Sequence, residues 1–394
     1  MRILFVAAPL QGHLLPLVPL AAACRDAGHE VILASGGFPP DVLGLRTVDI
    51  GGRFSLPRSA IRAALRHPLI ARAEMNGVAG HGFVGELFGR ANLSLVEPLQ
   101  ELAERERPDL IVFESLSEAG AIVAGRLSVP SVLQENTLWP ATDLYRAVVG
   151  SSSLSGRVIP SPALTITVAP PSLRSAQTNG EQAGGVRADG AGSAGTAADA
   201  GIADGAVGER LVPMRPVPFS GGGGIPDWLR ARGERPRVLV SRSTLEGPND
   251  GDPGPAVVAA ARQVDAEFVL VRPKSDGDLP PNVRAAGRVP LNELLPHAAA
   301  FIHHAGAGSV LGGLAAGVPQ LATPGAGDRR HNAEMLARSG AGIAVEAKAI
   351  TAADLVRLLT DEALLAAARQ VAAEMAAMPA PAEVVPELER LADA

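Results

Sequence analysis

Two series of short apolar strands alternating with helix-length segments, one opening at Arg2 and the other at Arg237, restrict this chain to a parallel α/β architecture. Residues 2–8 are apolar, contain Ile and Val, and stop at Pro9. After the turn Pro9-Leu10-Gln11-Gly12-His13, helical spacing puts Leu17, Leu20, Ala21 and Cys24 on one face, with Pro16 and Pro19 confined to the first turns. Gly28 stands where a helix-terminating glycine belongs, and residues 29–34 form the next strand. A strand–helix–strand crossover of this kind pairs its strands in parallel. The pattern continues with a helix around 94–105, a strand at 110–113, a helix at 118–126 and a strand around 131–133. The second series places strands at 237–241, 267–271, 300–303, 319–323 and 342–345, and Thr351 with Asp354 forms a near capping box for a helix beyond them. The spacing predicts two doubly wound domains in tandem, with ligands bound beyond the carboxyl ends of the strands, in a cleft between facing domains.

Between the two series the rhythm breaks. Residues 176–209 hold nine Gly and ten Ala with no apolar period, too little apolar surface to offset the entropy of ordering, and are read as a disordered insertion. The expected organisation is therefore an N-terminal domain at 1–174, an insertion and linker at 175–235, a C-terminal domain at 236–378 and a terminal helix at 379–394. Net charge is −6 over 394 residues, so no basic excess exists for a nucleic-acid partner. Cys24 is the only cysteine, which removes disulfide frameworks and Cys-based zinc sites. No window of 18 uninterrupted apolar residues occurs, and the apolar run at the N-terminus is too short for a signal peptide; a cytoplasmic protein with no membrane span is expected.

The richest segment is Phe301-Ile302-His303-His304-Ala305-Gly306-Ala307-Gly308-Ser309-Val310-Leu311-Gly312, where a strand feeds a glycine turn that opens a helix. Glycines let the backbone approach a bulky anion, and the free amides at a helix start favour phosphate. A glycine turn serving only helix packing is the bland alternative. A dinucleotide fingerprint is a sharper rival, since Gly306-x-Gly308-x-x-x-Gly312 nearly spells one with Asp328 further on. Such a fingerprint normally opens its domain, and a histidine directly before the turn is foreign to it. Metal binding by His297, His303, His304 and His331 is disfavoured, because adjacent strand residues point to opposite faces; no metal and no cofactor are expected.

Taken together, Gly12-His13 followed by Pro16, His304-x-Gly306-x-Gly308-Ser309, Ala316-Gly317-Val318-Pro319 and Asp328-x-x-x-Asn332-Ala333 resemble the nucleotide-sugar glycosyltransferases of the GT-B fold, with the closest resemblance to family 1 enzymes that decorate bacterial natural products such as polyketide antibiotics. The resemblance spans nearly the whole chain outside 176–209. It implies an α/β protein of two Rossmann-like doubly wound domains facing across a cleft, the acceptor bound by the first and the nucleotide sugar by the second. His304, Gly306, Gly308 and Ser309 match the diphosphate site, Ser243 and Thr244 the phosphate-facing loop, Val289 the position whose backbone reads the base, and Asp328, with Arg329 beside it, the acid that bonds sugar hydroxyls. His13 matches the catalytic base, and Glu114 falls near the acid that orients it, with Glu118 one helical turn further as the rival carboxylate.

The assignments have a chemical rationale. An acceptor hydroxyl attacks as its proton leaves, and an imidazole titrating near neutrality accepts that proton efficiently. A carboxylate on the other ring nitrogen fixes the tautomer, and fixed amides stabilise charge on the departing diphosphate without metal. Attack opposite the leaving group inverts the anomeric centre. The expected reaction is inverting transfer of a sugar, deoxysugars included, from a TDP- or UDP-donor to a hydroxyl of a hydrophobic aglycone. Its rivals are C-glycosylation of an aromatic aglycone, a sugar-nucleotide epimerase and a non-catalytic helper of the same fold. A homodimer and an activator protein stay open as further partners. Residues 135–145, with Trp139, are a candidate acceptor wall, core packing being the alternative for Trp139. Arg329 stands where relatives carry glutamine, Arg288 where many carry an aromatic residue, and Ser243 where glycine is common.

Overall fold

The computed structural model describes residues 1–38, 42–51, 55–75, 80–174, 210–221, 224–231, 233–244, 251–274 and 277–393. The insertion expected at 176–209 lies outside the described residues. The chain divides into two compact units. The first contains Met1–Val168, the strand Leu211–Pro213 and the terminal segment Pro379–Ala394, and the second contains Arg215–Met378.

The first unit is built on a seven-stranded sheet in the order β3-β2-β1-β4-β5-β6-β7, all of whose pairings are parallel. Its strands are β1 (Arg2–Val6), β2 (Glu30–Ser35), β3 (Arg46–Asp49), β4 (Leu110–Glu114), β5 (Ser131–Gln134), β6 (Leu164–Thr167) and β7 (Leu211–Pro213). The central strands are buried on both faces, so Ile3-Leu4-Phe5-Val6 and Leu110-Ile111-Val112-Phe113 read as unbroken apolar runs. The edges explain what the sequence pattern passed over: β3 has mostly exposed residues, and β7 is three residues long with Leu211 exposed. Pro16 and Pro19 sit near the N-termini of a 3-10 turn (Leu15–Leu17) and the helix Val18–Asp26, where a missing amide costs nothing.

The helix expected at 94–105 is much longer, Gly82–Glu106, and carries Pro98 in its interior. Its Gly85 and Gly89, one turn apart, face the segment 147–151: a Cβ at Gly85 would fall 2.4 Å from the Ala147 carbonyl oxygen, and one at Gly89 would fall 1.9 Å from Ser151 Oγ. The Gly85→Ala substitution is therefore expected to destabilise the protein despite a gain of about 1 kcal/mol in helix propensity, because overpacking against a backbone carbonyl costs roughly 1–3 kcal/mol. A melting curve followed by circular dichroism would test it, and a raised midpoint would contradict this packing.

The second unit holds a six-stranded parallel sheet in the order β10-β9-β8-β11-β12-β13. Its strands are β8 (Arg237–Ser241), β9 (Glu267–Val271), β10 (Val283–Ala286), β11 (Ala300–His303), β12 (Gln320–Ala322) and β13 (Gly342–Ala344). β10 escapes a pattern reading because Val283-Arg284-Ala285-Ala286 has one β-branched residue and an exposed arginine. Thr351 and Asp354 form the capping box of the helix Ala352–Thr360. The terminal helix Pro381–Ala392 packs its Val384, Val385 and Leu388 within the first unit, against Val18–Asp26, with Glu389 Oε1 3.0 Å from His29 Nε2. Burial, and then the Glu389 charge, push the Cys24 thiol up to about 12, so it is inert as a nucleophile at neutral pH. Among the described residues no helix is long and apolar enough to cross a membrane.

Each strand order reverses once, between β1 and β4 in the first sheet and between β8 and β11 in the second. At such switch points the loops diverge and leave a crevice beyond the strand ends. His13 follows β1 and Glu114 ends β4; Ser243 follows β8 and His304 follows β11.

Candidate active site

At the first switch point Glu114 is wholly buried, yet each of its oxygens is engaged. Oε1 accepts from the Ala8 amide at 2.9 Å and from Ser117 Oγ at 2.7 Å, and Oε2 accepts from the Leu116 amide at 3.0 Å and from Asn136 Nδ2 at 2.9 Å. His13 Nδ1 lies 2.9 Å from the same Oε2. Burial pushes the Glu114 carboxyl upward, but His13 and the converging donors outweigh it and hold the group below the ordinary carboxylate range. Against an ionised Oε2, Nδ1 of His13 carries the hydrogen, which in the neutral ring leaves the lone pair on Nε2. The His13 side chain is 24% exposed, so the oriented ring keeps access to solvent. It does not act as a helix cap: it lies within the short helix Gln11–Leu14 and reaches β4 instead.

Glu118 is not brought to His13. It occupies the N-cap position of the helix Ala119–Leu127 and accepts from Asn92 Nδ2 at 2.9 Å, with Oε1 left unpartnered. Burial first, and then the Glu114 charge, raise its carboxyl well above the ordinary range, so it stays protonated where Glu114 is ionised. Trp139 is 7% exposed and packs in the core of the first unit, edge-on to His81 with centroids 4.6 Å apart. It joins the apolar core of that unit. Asn136 is a site residue that the sequence did not announce: its Nδ2 lies 2.9 Å from both Glu114 Oε2 and His13 Nδ1, and its Oδ1 is buried without a partner. No motif marks it; only the sheet brings the loop after β5 beside the end of β4.

At the second switch point the turn after β11 bears His304, Gly306, Gly308 and Ser309 in succession. The helix Ala307–Ala315 starts at Gly306 with no side-chain cap, so the leading amides of Ala307 and Gly308 find no capping side chain. His303 and His304 do separate to different surroundings. His303 is buried, with Nδ1 accepting from the Ala305 amide at 3.1 Å and Nε2 donating to Gln320 Oε1 at 2.8 Å. It is a buttress for the turn, in which Ala305 adopts φ +61°. Gln320 reaches it past Gly313, where a Cβ would sit 2.4 Å from the Gln320 side-chain carbon. The apposed Gly313 and Gln320 are thus a supporting pair that the motif reading did not pick out.

His304 Nδ1 is buried, and a backbone hydrogen bond from the ring to Ser241 ties it to the end of β8. Burial, reinforced by the positive charges of Arg329 and Arg272 and by His303, pushes His304 down to about 3, so the ring is neutral at physiological pH. Asp328 occupies the N-cap position of the helix Arg329–Arg338, but its side chain makes no capping bond and accepts instead from Asn332 Nδ2 at 2.8 Å. The same amide donates to the Ala305 carbonyl at 3.0 Å, tying Asp328 to the glycine turn. Arg329 Nε donates to the Ala326 carbonyl at 3.0 Å. Ser243 is buried and Thr244 exposed just past β8. Val289 is buried and belongs to the apolar cluster that also holds Leu239, Val271 and Phe301. Among the described residues no cluster of three or more His, Cys, Asp or Glu is arranged to hold a metal.

Residues 255–391 match the family described as erythromycin biosynthesis protein CIII-like, C-terminal domain. Over its length the chain is 34% identical to the elloramycin glycosyltransferase ElmGT of Streptomyces olivaceus, across 98% of this chain and 97% of that protein. Among solved structures, the glycosyltransferase SnogD of Streptomyces nogalater superposes with a TM-score of 0.76 at 30% identity, covering 99% of each chain. The glycosyltransferase SsfS6 of Streptomyces sp. SF2575, complexed with thymidine diphosphate, superposes with a TM-score of 0.76 at 28% identity and covers 99% of each chain. Two parallel doubly wound units with this likeness define a glycosyltransferase of the GT-B fold. The chain belongs to the family of antibiotic-biosynthetic glycosyltransferases that these relatives represent.

Proposed function

We propose that the protein transfers a sugar, deoxysugars included, with inversion, from a TDP- or UDP-sugar to a hydroxyl of a hydrophobic natural-product aglycone such as a polyketide. The observation that carries this reading is the His13 imidazole, held through Nδ1 by a buried, ionised Glu114. In this orientation Nε2 takes the proton of the acceptor hydroxyl as it attacks the anomeric carbon, and Glu114 stabilises the imidazolium that results. Displacement in line with the departing diphosphate inverts the anomeric centre. His304, the amides at the start of Ala307–Ala315 and Ser309 receive the diphosphate, with Ser243 and Thr244 beside it. Asp328 and Arg329 meet the sugar, and the Val289 backbone meets the base. The thymidine diphosphate bound to SsfS6 favours a TDP-sugar as the first donor to test.

Mass spectrometry of reactions pairing TDP- and UDP-sugars with a panel of polyketide aglycones tests the reading, and the anomeric coupling constant of a product tests inversion. A retained anomeric configuration would exclude a single displacement assisted by His13. Replacing His304 by alanine is expected to weaken nucleotide-diphosphate affinity roughly tenfold, the scale of one lost hydrogen bond to a charged group. Calorimetric titration of TDP and UDP into the two proteins checks it, and unchanged affinity would contradict the phosphate assignment.

A further inference from the structure

Arg272 has no assigned task, and its surroundings are unusual for an arginine. It is the first residue after β9, and strand register puts it beside two others: Val271 pairs with Ser241 of β8, and Ser241 pairs with His303 of β11. Arg242, Arg272 and His304 therefore follow three adjacent strands at the carboxyl end of one sheet. The Arg272 amide bonds the Ala286 carbonyl of β10 at 2.8 Å, and Arg288 lies two residues beyond Ala286. Arg272 Nη2 donates to the Arg242 carbonyl at 3.0 Å, and Arg242 Nε donates back to the Arg272 carbonyl at 2.5 Å.

Among the described residues no carboxylate pairs with this guanidinium, and the side-chain hydrogen bond it makes is to a carbonyl. Lys274, two residues further on, does have an acid, Asp252 at 3.8 Å. Partial burial first, and then the positive charges of Arg288 and Arg242, lower the pKa of Arg272. The backbone at Arg272 has φ +53°, a left-handed conformation that costs a non-glycine residue roughly 1–2 kcal/mol. A strained, half-buried cation crowded by cations is unfavourable unless an anion joins it. The same corner offers the uncapped helix start at Gly306, and Arg272 is close enough to His304 for its charge to act on that ring.

We propose that Arg272 is a donor-binding residue whose guanidinium pairs with the diphosphate of the nucleotide sugar, with Arg242 fixing its position through their reciprocal backbone bonds. This inference rests on the reading of the second unit as the donor site and adds a charged contact that the glycine turn alone does not supply. A guanidinium presents paired donors that match phosphate oxygens, and it offsets negative charge on the leaving group as the glycosidic bond to the diphosphate breaks.

The test is calorimetric titration of TDP and UDP into the unmodified protein, Arg272→Asn and Arg272→Gly, with the parent nucleosides followed by saturation-transfer NMR. Both replacements suit a left-handed backbone, so the fold is kept while the charge is removed. Expected is an affinity for the preferred diphosphate lower by about 10–100-fold, with nucleoside affinity within about twofold and a shallower salt dependence. Unchanged diphosphate affinity in a variant with an intact melting transition overturns the role of Arg272 while leaving the donor site standing. An equal loss for the nucleoside also overturns it, since the effect would then arise at the base. If the unmodified protein binds neither TDP nor UDP, the donor-site reading itself falls.

Discussion

Replacing His13 with alanine is expected to lower turnover by about 10²-fold or more while leaving nucleotide-diphosphate affinity within about twofold. The split follows from where the side chain sits. His13 belongs to the first unit, bonded to Glu114 and Asn136, whereas the residues read as holding the donor all belong to the second. Losing a general base removes an interaction made as the proton moves, so turnover falls without a matching change in donor binding. Steady-state kinetics with a saturating donor, set beside calorimetric TDP binding, separates the two effects. Turnover equal to that of the unmodified enzyme would remove His13 as the base. A His13→Gln variant refines the result, because it keeps a hydrogen-bond partner for Glu114 but cannot accept a proton at neutral pH. It should be as slow as the alanine variant while melting closer to the parent.

The parallel sheets were legible because strands buried on both faces must be apolar throughout, and 2–8 and 237–241 advertise that directly. Edge strands carry no such demand. β3 is mostly exposed and β10 alternates weakly, so the local pattern is silent and pairing with a neighbour decides. The site divides along similar lines. His13 and the His304–Ser309 turn stand out because strand–turn–helix junctions with glycine and histidine have a local chemical logic. Asn136, Gln320 and Arg272 have none: each is placed by a neighbour far along the chain, Glu114 for Asn136, His303 for Gln320 and Arg242 for Arg272. The choice between Glu114 and Glu118 shows the limit plainly. Both are buried carboxylates near the end of β4, and only geometry reveals that the first faces His13 while the second bonds Asn92.

The same geometry makes Glu114→Gln the substitution with the widest consequences. Every hydrogen bond formed by the carboxylate is one it accepts, from Ala8 N, Leu116 N, Ser117 Oγ, Asn136 Nδ2 and His13 Nδ1. An amide of the same size turns one of its two oxygens into a donor, which then confronts donors on whichever side it faces. If the NH2 faces His13, the ring must accept at Nδ1 and move its hydrogen to Nε2, the wrong tautomer for a base. If it faces Ala8 and Ser117, those donors lose their acceptor. Turnover is expected to fall by roughly 10²–10⁴-fold, and stability by about 2–4 kcal/mol at neutral pH. The stability loss has a defined pH signature. Because the folded carboxyl titrates below its unfolded value of about 4.3, ionisation stabilises the native state above that value. That contribution declines as pH falls through the folded pKa, since the native state must then take up the proton. The melting temperatures of the unmodified protein and of Glu114→Gln should therefore lie furthest apart from neutral pH down to about pH 5 and converge below about pH 4. A gap that stays constant down to pH 3 would mean that Glu114 is not ionised in the folded protein, and the orientation of His13 would then need another cause.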